Sequence, residues 1–302
     1  MKTKGNEKLI AVIGATGQQG GGVVRALQAS SQFKVRALSR NPGRHHELAG
    51  EVAEADLNRP ETLKAAFEGA HGVFLVTNPR EKGADERKQA TAAVHAAREA
   101  GVEHLIWSTL PDVEAISGGK LDVPHFTNKA RIDPIVKAAG FASHTFVIPP
   151  FYYQNLVGAF APQKQADGSL GWAAPLDPDV RCLHMGDITE LGNLVAGAFA
   201  HSDEAGNGDY LPLVGDFMSF NEIVETLNRQ GHELSFKQIP KEIFAGLFPG
   251  AAELAEMIGY WEAHTYLGSD SSDRIALANK IAGRQPTKFS TWTRLNVPVQ
   301  TP

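Results

Sequence analysis

The stretch Gly14-Ala15-Thr16-Gly17-Gln18-Gln19-Gly20 follows a short apolar run at residues 9–13 and precedes a helix-like segment at 21–29. A strand that leads through a glycine turn into a helix directs backbone N–H groups and the positive end of the helix dipole at a pyrophosphate. The first two glycines let the phosphates come close, the third lets the helix pack on the strand, and Thr16 and Gln18 add polar contacts. The stretch therefore predicts a dinucleotide-binding βαβ unit. The alternative is a glycine-rich turn with a purely structural role.

The rest of the first half continues the alternation of short apolar runs and amphipathic segments. The predicted strands lie at 34–38, 52–55, 72–76, 104–107 and 144–148, and the predicted helices at 60–67, 86–100 and 128–139. Runs such as 72–76 are apolar throughout, so we expect both faces of the sheet to be covered. The fold class is therefore α/β, a doubly wound parallel sheet with a smaller C-terminal lobe.

The composition of the sequence changes after Pro149-Pro150, where proline, glycine and aromatic residues become more frequent. We therefore predict a nucleotide-binding domain over residues 1–150 and a smaller lobe over 151–302. Residues 209–214 also have the pattern of a strand, which allows the chain to return once to the main sheet.

The nature of the nucleotide is indicated at the end of the second predicted strand, where an acid would bind the ribose hydroxyls of NAD. Ser39-Arg40-Asn41-Pro42 contains no acid. The guanidinium of Arg40 can pair with a 2′-phosphate, and Arg44 is close enough in sequence to help. This favours NADP(H) over NAD(H); the alternative is that Arg40 is a solvated surface arginine. Asp56 and Leu57, after the third strand, are expected beside the adenine.

Composition and charge exclude several classes of protein. The net charge of -5 argues against direct nucleic-acid binding, which needs clustered Lys and Arg. Cys182 is the single cysteine, so an intramolecular disulfide is excluded and a cytoplasmic location is expected. No apolar stretch is long enough to span a membrane. The adjacent His45-His46 pair lacks the spacing of a metal site, and we expect no metal.

Several motifs together resemble the NmrA-like family of atypical short-chain dehydrogenase/reductases, which includes HSCARG-type NADPH sensors. They are the glycine stretch 14–20, Ser39-Arg40-Asn41-Pro42, Phe74-Leu75-Val76-Thr77-Asn78, Pro124-His125-Phe126 with Lys129, and Phe151-Tyr152-Tyr153-Gln154-Asn155. The resemblance implies an extended Rossmann fold with the cofactor across the carboxyl ends of the strands. It also implies cofactor contacts from Thr77, Asn78, Lys129, Pro150, Tyr152 and Asn155.

The catalytic Tyr-x-x-x-Lys pair of ordinary short-chain dehydrogenases is replaced here by His125-x-x-x-Lys129. That spacing puts both side chains on one face of a helix, where an ammonium group can assist proton delivery by its neighbour. An imidazole can serve as the proton donor, but a histidine at a helix entry is more often structural. Lys129 is either a cofactor-binding and catalytic group or an exposed helix lysine. Ser108 and Thr109 can occupy the place of the substrate-orienting serine.

The aromatic run Phe151-Tyr152-Tyr153 and the segment 244–261 are the remaining candidates for a substrate pocket. Both also fit plain packing of the C-terminal lobe, and the second also fits a homodimer surface.

Two functions therefore remain open. One is a redox sensor or regulator that binds NADP(H) and acts through a protein partner. The other is an NADPH-dependent oxidoreductase of a quinone, enone or aromatic carbonyl substrate.

Overall fold

The computed structural model describes residues 7–81, 83–165, 167–269 and 271–298. The strands of these residues are β1 (Lys8–Val12), β2 (Phe33–Ser39), β3 (Glu51–Glu54), β4 (Gly72–Leu75), β5 (His104–Ser108), β6 (Ser143–Ile148), β7 (Phe151–Tyr152), β8 (Gln163–Lys164), β9 (Leu170–Ala174), β10 (Leu183–Gly186), β11 (Asn207–Pro212), β12 (Asp216–Met218) and β13 (Leu234–Gln238).

The helices of the same residues cluster between the strands of the first half and again near the C-terminus. They are α1 (Gln18–Ser30), α2 (Leu63–Phe67), α3 (Glu86–Glu99), α4 (Val113–Ser117), α5 (Pro124–Ala130), α6 (Asp133–Ala138), α7 (Leu191–Ala200), α8 (Ser202–Ala205), α9 (Phe220–Asn228), α10 (Lys241–Ala245), α11 (Ala251–His264), α12 (Ser272–Ala282) and α13 (Phe289–Asn296). Short 3₁₀ turns lie at Pro42–Arg44, Pro60–Thr62, Tyr153–Val157 and Ile188–Glu190.

The main sheet contains seven of the described strands in the order β11-β6-β5-β4-β1-β2-β3. Every neighbouring pair in it is parallel. The chain starts at β1, runs outward to β3, and then crosses back to β4 on the other side of β1. This order confirms the doubly wound fold, and its switch point between β1 and β4 opens a crevice at the carboxyl ends of the strands.

The two faces of the main sheet are buried under separate helical layers. Along β1 and the residue that follows it, Ile10 and Val12 point to one layer, whereas Ala11 and Ile13 point to the other, as the twofold repeat of a strand requires. The first layer includes α1, α7 and α12, and the second includes α2, α3 and α6.

The backbones of α1 and α7 touch at Gly22 and Gly192. A Cβ atom added at Gly192 would lie 2.1 Å from the carbonyl oxygen of Gly22, so a side chain there would force the helices apart. Helix α7 and strand β11 both follow residue 150, so late residues complete the layers around the main sheet. The division into two domains at residue 150 therefore stays a prediction.

A smaller lobe covers the crevice side of the molecule. It contains the three-stranded sheets β12-β10-β7 and β13-β9-β8 together with α9, α10, α11 and α13. Its core is a third apolar cluster that includes Phe151, Tyr153, Tyr260, Trp261 and Trp292.

The single helix predicted at 128–139 is wrong. The structure has two short helices there, α5 and α6, which are interrupted at Arg131 and Ile132. Pro134 explains the break, because it lacks an N–H group and its ring would clash with the carbonyl of Ala130 in a continuous helix. Helix α5 instead starts at Pro124, a favourable first helical residue, so that His125 and Lys129 share one helix.

Candidate functional site

A cleft of 680 Å³ lies at the carboxyl ends of β1, β2 and β4 and extends under the smaller lobe. Its lining includes nearly all the site residues expected from the sequence, namely Gly14, Thr16, Gly17, Gln18, Gln19, Gly20, Arg40, Asp56, Leu57, Thr77, Asn78, His125, Lys129, Pro150, Tyr152 and Asn155. Arg44, which was also expected at the site, is not among the described residues that line the cleft. Arg44 is the last residue of the 3₁₀ turn Pro42–Arg44, and its N–H donates to the carbonyl of Asn41 at 3.1 Å.

The glycine turn forms one end of the cleft and is made of main chain. Gly14 has a φ of +71°, and the Gly17 N–H donates to the Gly14 carbonyl at 2.8 Å. A Cβ at Gly20 would lie 2.2 Å from the Gly14 oxygen, so only glycine lets α1 approach the turn this closely. Gly17 occupies the N-cap of α1, and no side chain of the described residues caps this end. The first N–H groups of α1 are therefore available to an anion, and the turn fits a pyrophosphate.

Arg40 follows β2 and lines the cleft beside the glycine turn, where it forms an ion pair with Glu81. The side chain of Arg40 is 61% exposed and that of Glu81 is 28% exposed. The sequence gives no sign that Glu81 belongs to this site, because Glu81 follows a different strand and lies 41 residues after Arg40.

Lys129 lies buried in the middle of the cleft wall, and its ammonium group is fully engaged. Nζ donates to the carbonyl oxygen and the hydroxyl of Thr77, both at 2.9 Å, and to the Glu86 carboxylate at 2.8 Å. It also lies 5.2 Å from the centre of the Trp107 ring. Burial lowers the pKa of Lys129, whereas the charge and hydrogen bond of Glu86 oppose that shift. The sequence predicts Glu86 only as the first residue of a helix.

His125 on α5 contacts the smaller lobe. Its Nδ1 lies 2.6 Å from a carboxylate oxygen of Glu253 on α11, and its ring stacks on Phe126. The carboxylate fixes the ring orientation and favours a proton on Nδ1. Glu253 is 128 residues away in sequence and carries no local pattern that would have identified it.

A second polar chain runs from the glycine turn to the smaller lobe through Gln19. The Gln19 amide nitrogen donates to the Tyr152 hydroxyl at 2.9 Å, and its carbonyl accepts from the Ser108 hydroxyl at 2.7 Å. Burial raises the pKa of Tyr152, so its hydroxyl keeps its proton. Thr109, in contrast, donates to buried Asp133 at 2.7 Å and is part of the packing beneath the cleft.

The far end of the cleft is apolar and aromatic. Its lining includes Phe151, Phe160, Leu254, Met257, Trp261 and Tyr266. The aromatic run after β6 is therefore divided: Phe151 and Tyr152 line the cleft, but Tyr153 is buried in the lobe and donates to Asp216 at 2.8 Å. The segment 244–261 contributes to both regions, since Phe244 and Trp261 belong to the core and Trp261 also lines the cleft.

The described residues contain neither a candidate metal site nor a membrane-spanning helix. They contain no group of three or more His, Cys, Asp or Glu side chains that could hold a metal ion. Their helices are also too short or too polar to cross a membrane.

A sequence model of the NmrA-like family matches residues 6–293. The chain belongs to the NmrA-like family. An NmrA-like family domain-containing protein of Dictyostelium discoideum is 33% identical over 236 residues, which are 74% of this chain and 77% of that protein. An NmrA-like family domain-containing oxidoreductase of Aspergillus hancockii is 32% identical over 239 residues, 72% of this chain and 70% of that protein. The membership expected from the sequence is thus confirmed.

Solved structures of similar fold include both a regulator and an enzyme. NmrA, a negative transcriptional regulator solved in complex with NADP, superposes with a TM-score of 0.81 at 23% identity and covers 98% of this chain and 97% of its own. An NADPH-dependent quinone oxidoreductase from Escherichia coli, solved with NADPH, gives a TM-score of 0.76 at 21% identity over 95% and 99% of the two chains. At these identities the likeness concerns the fold.

Proposed function

We propose that this member of the NmrA-like family binds NADP(H) and acts as a redox sensor or regulator through a protein partner. The observation that carries the cofactor assignment is the uncapped start of α1 at Gly17, which shares one cleft with the guanidinium of Arg40. The first fits a pyrophosphate, and the second fits a 2′-phosphate. NmrA was solved with NADP and with NAD, and the quinone oxidoreductase with NADPH; these structures support a nicotinamide dinucleotide in the cleft, and Arg40 is the residue that favours NADP(H).

The sensor role is supported by how the polar groups of the cleft are engaged. The three donors of the Lys129 ammonium group already have acceptors within the chain, and position 125 carries a histidine bound to Glu253 instead of a tyrosine. An ammonium group whose protons are all held inside the fold is a poor source of protons for a substrate. Because the main domain and the smaller lobe both line the cleft, a bound cofactor contacts both and can change how they pack.

Calorimetry and size-exclusion chromatography test this proposal. We expect NADPH to bind more tightly than NADH, because only NADPH offers a phosphate to Arg40. We also expect cofactor binding to change the elution volume or the protease sensitivity of the smaller lobe. Equal affinity for NADPH and NADH would contradict the NADP(H) assignment, and an unchanged protein on binding would contradict the sensor role.

A reductase of a quinone, enone or aromatic carbonyl is the second candidate, and the apolar far end of the cleft favours it. Leu254, Met257 and Trp261 form a wall on α11 beside His125, where a flat apolar substrate can lie. NADPH would supply the hydride. His125, oriented by Glu253, would then donate a proton to the substrate oxygen and regain it from solvent. The oxidoreductase name of the Aspergillus hancockii relative agrees with this candidate.

Steady-state oxidation of NADPH against a panel of quinones and enones separates the two candidates. For a reductase that uses His125, the His125→Ala variant should lose roughly two to four orders of magnitude in turnover at unchanged NADPH affinity. For a sensor, no member of the panel should be turned over, and His125→Ala should leave NADPH affinity nearly unchanged.

A further inference from the structure

The pairing of Arg40 with Glu81 places opposite charges at the same point of the cleft. Arg40 follows β2 and Glu81 follows β4, which lie on either side of β1 in the main sheet. Their side chains thus meet across the strand that leads into the glycine turn. Arg80, next to Glu81, also lines the cleft.

Glu81 is held at this point by a turn of its own. The Glu81 N–H donates to the carbonyl of Asn78 at 3.2 Å, and the Arg80 N–H donates to the Asn78 side-chain oxygen at 3.0 Å. The Ala84 N–H in turn donates to the Glu81 carbonyl at 3.0 Å. The carboxylate therefore lies beside Arg40 because the backbone directs it there.

A carboxylate and a guanidinium at one point favour different ligands. The guanidinium pairs with a phosphate, whose charge near neutral pH approaches two negative units, while the carboxylate repels it. A ribose hydroxyl, by contrast, can donate a hydrogen bond to the carboxylate. An exposed ion pair contributes little by itself, so a ligand can separate Arg40 from Glu81 at low cost.

We propose that Glu81 is a specificity-determining residue that weakens binding of NADP(H) and strengthens binding of NAD(H), and so narrows the preference for NADP(H) that Arg40 provides. The inference rests on the proposed function, since it concerns the same cleft. It assigns the choice between the two cofactors to the balance of two side chains instead of to Arg40 alone.

Calorimetry with NADPH and NADH on the full-length Glu81→Gln variant tests the proposal. Removing the negative charge should tighten NADPH binding about fivefold or more, and weakening the acceptor should loosen NADH binding about fivefold. The Arg40→Ala variant should instead bind NADPH more weakly than the wild type. Opposite changes for the two cofactors are the expected signature, because a general disturbance of the cleft would weaken both.

Glu51→Gln provides the matched control. Glu51 also pairs with an arginine of β2, Arg36, at 2.6 Å, but at the amino end of β3, away from the cleft. The Glu51→Gln variant loses the same charge as Glu81→Gln. It should keep its NADPH and NADH affinities within about twofold of those of the wild type, since a charge at that distance from the cleft is largely screened. If Glu81→Gln changes both affinities in one direction, or changes neither, the inference is overturned while the proposed function stands. If the unmodified protein binds neither cofactor, the proposed function fails and the inference fails with it.

Discussion

The two ends of the cleft are built by different means. At the glycine turn the site is main chain, formed by consecutive residues 14–20 that need no distant partner to take their shape. Near α5 the site is made of side chains whose partners are far apart in sequence. Lys129 depends on Glu86, 43 residues away, and His125 depends on Glu253, 128 residues away.

This difference predicts how each end responds to mutation. A side chain added at Gly17 blocks a ligand but, unlike one added at Gly20, displaces little of the protein's own backbone. Removing the Lys129 side chain from α5 leaves the buried Glu86 carboxylate without its counter-charge, so the fold itself is weakened. Binding and stability should therefore be affected separately at the two ends.

The largest effect is expected from Lys129→Met. The substitution keeps the length of the side chain but leaves the Glu86 carboxylate, 8% exposed, without its ammonium partner. We expect the free energy of unfolding to fall by about 3–5 kcal/mol, measured by urea denaturation.

Two further variants test the cause of that loss. Lys88→Met on the same layer removes an ammonium group that is 87% exposed and should cost less than about 1 kcal/mol. Adding Glu86→Gln to Lys129→Met should restore part of the stability, because the buried charge is then gone. If the Lys129→Met variant is as stable as the wild type, the stability of the cleft near α5 does not depend on the Lys129–Glu86 pair.

A smaller effect, confined to binding, is expected from Gly17→Val. Gly17 has an extended conformation that any residue can adopt, and a Cβ there would lie 3.3 Å from the Gly14 oxygen, so the turn has to shift only by a few tenths of an ångström to accept it. The valine would crowd a pyrophosphate, and we expect NADPH affinity to fall roughly 10- to 100-fold with an unchanged circular dichroism spectrum.

Gly50→Val is the control for this change, because a Cβ at the exposed Gly50 meets no atom within 4 Å. It should alter neither affinity nor stability. Tight NADPH binding by Gly17→Val would place the nucleotide elsewhere and would remove the contrast between the two ends.

The smallest effect concerns Asp133, which lies beneath the side-chain end of the cleft. It accepts hydrogen bonds from Trp107, Thr109 and Tyr210, and burial raises its pKa to about 6. Between about pH 4 and pH 6 the folded protein keeps a proton that the unfolded chain releases. The resulting stability is fully present below pH 4 and is lost as the pH rises through 6.

Replacing Asp133 by Asn removes this titration. We expect the difference in unfolding free energy between pH 4.5 and pH 7 to change by roughly 2 kcal/mol relative to the wild type. Asp122→Asn, at an exposed position, should leave the pH dependence as it is. An identical pH profile for Asp133→Asn and the wild type would contradict a raised pKa at this site.

The fold could be predicted from the sequence because its signals are local. The apolar runs gave the six N-terminal strands and the seventh at Asn207–Pro212 within a few residues, and the glycine stretch located the mouth of the cleft. The break between α5 and α6 had a local signal too, Pro134, which the helical periodicity outweighed in our prediction.

The partners of the site residues could not be predicted in the same way. Glu86, Glu81 and Glu253 have the local setting of ordinary helix or loop acids, and only the sheet order and the packing of α11 bring them to the cleft. Arg44 is the reverse case: it is close to Arg40 in sequence, but it is not among the described residues that line the cleft. Proximity along the chain is informative within a turn or a helix and loses its value beyond them.

Strand β11 and helix α7 pack against the main sheet but come late in the sequence, and this order affects folding during synthesis. When synthesis has passed Ile148, the edge of β6 that later pairs with β11 is still unpaired. The face of α1 that contains Gly22 also has no helix packed against it, because α7 has not yet been made. Both gaps remain for several seconds at ordinary rates of translation. Open strand edges recruit other chains, so we expect the nascent protein to need chaperone protection during this interval. A fragment that stops at residue 150 should aggregate, even though it carries the whole glycine turn.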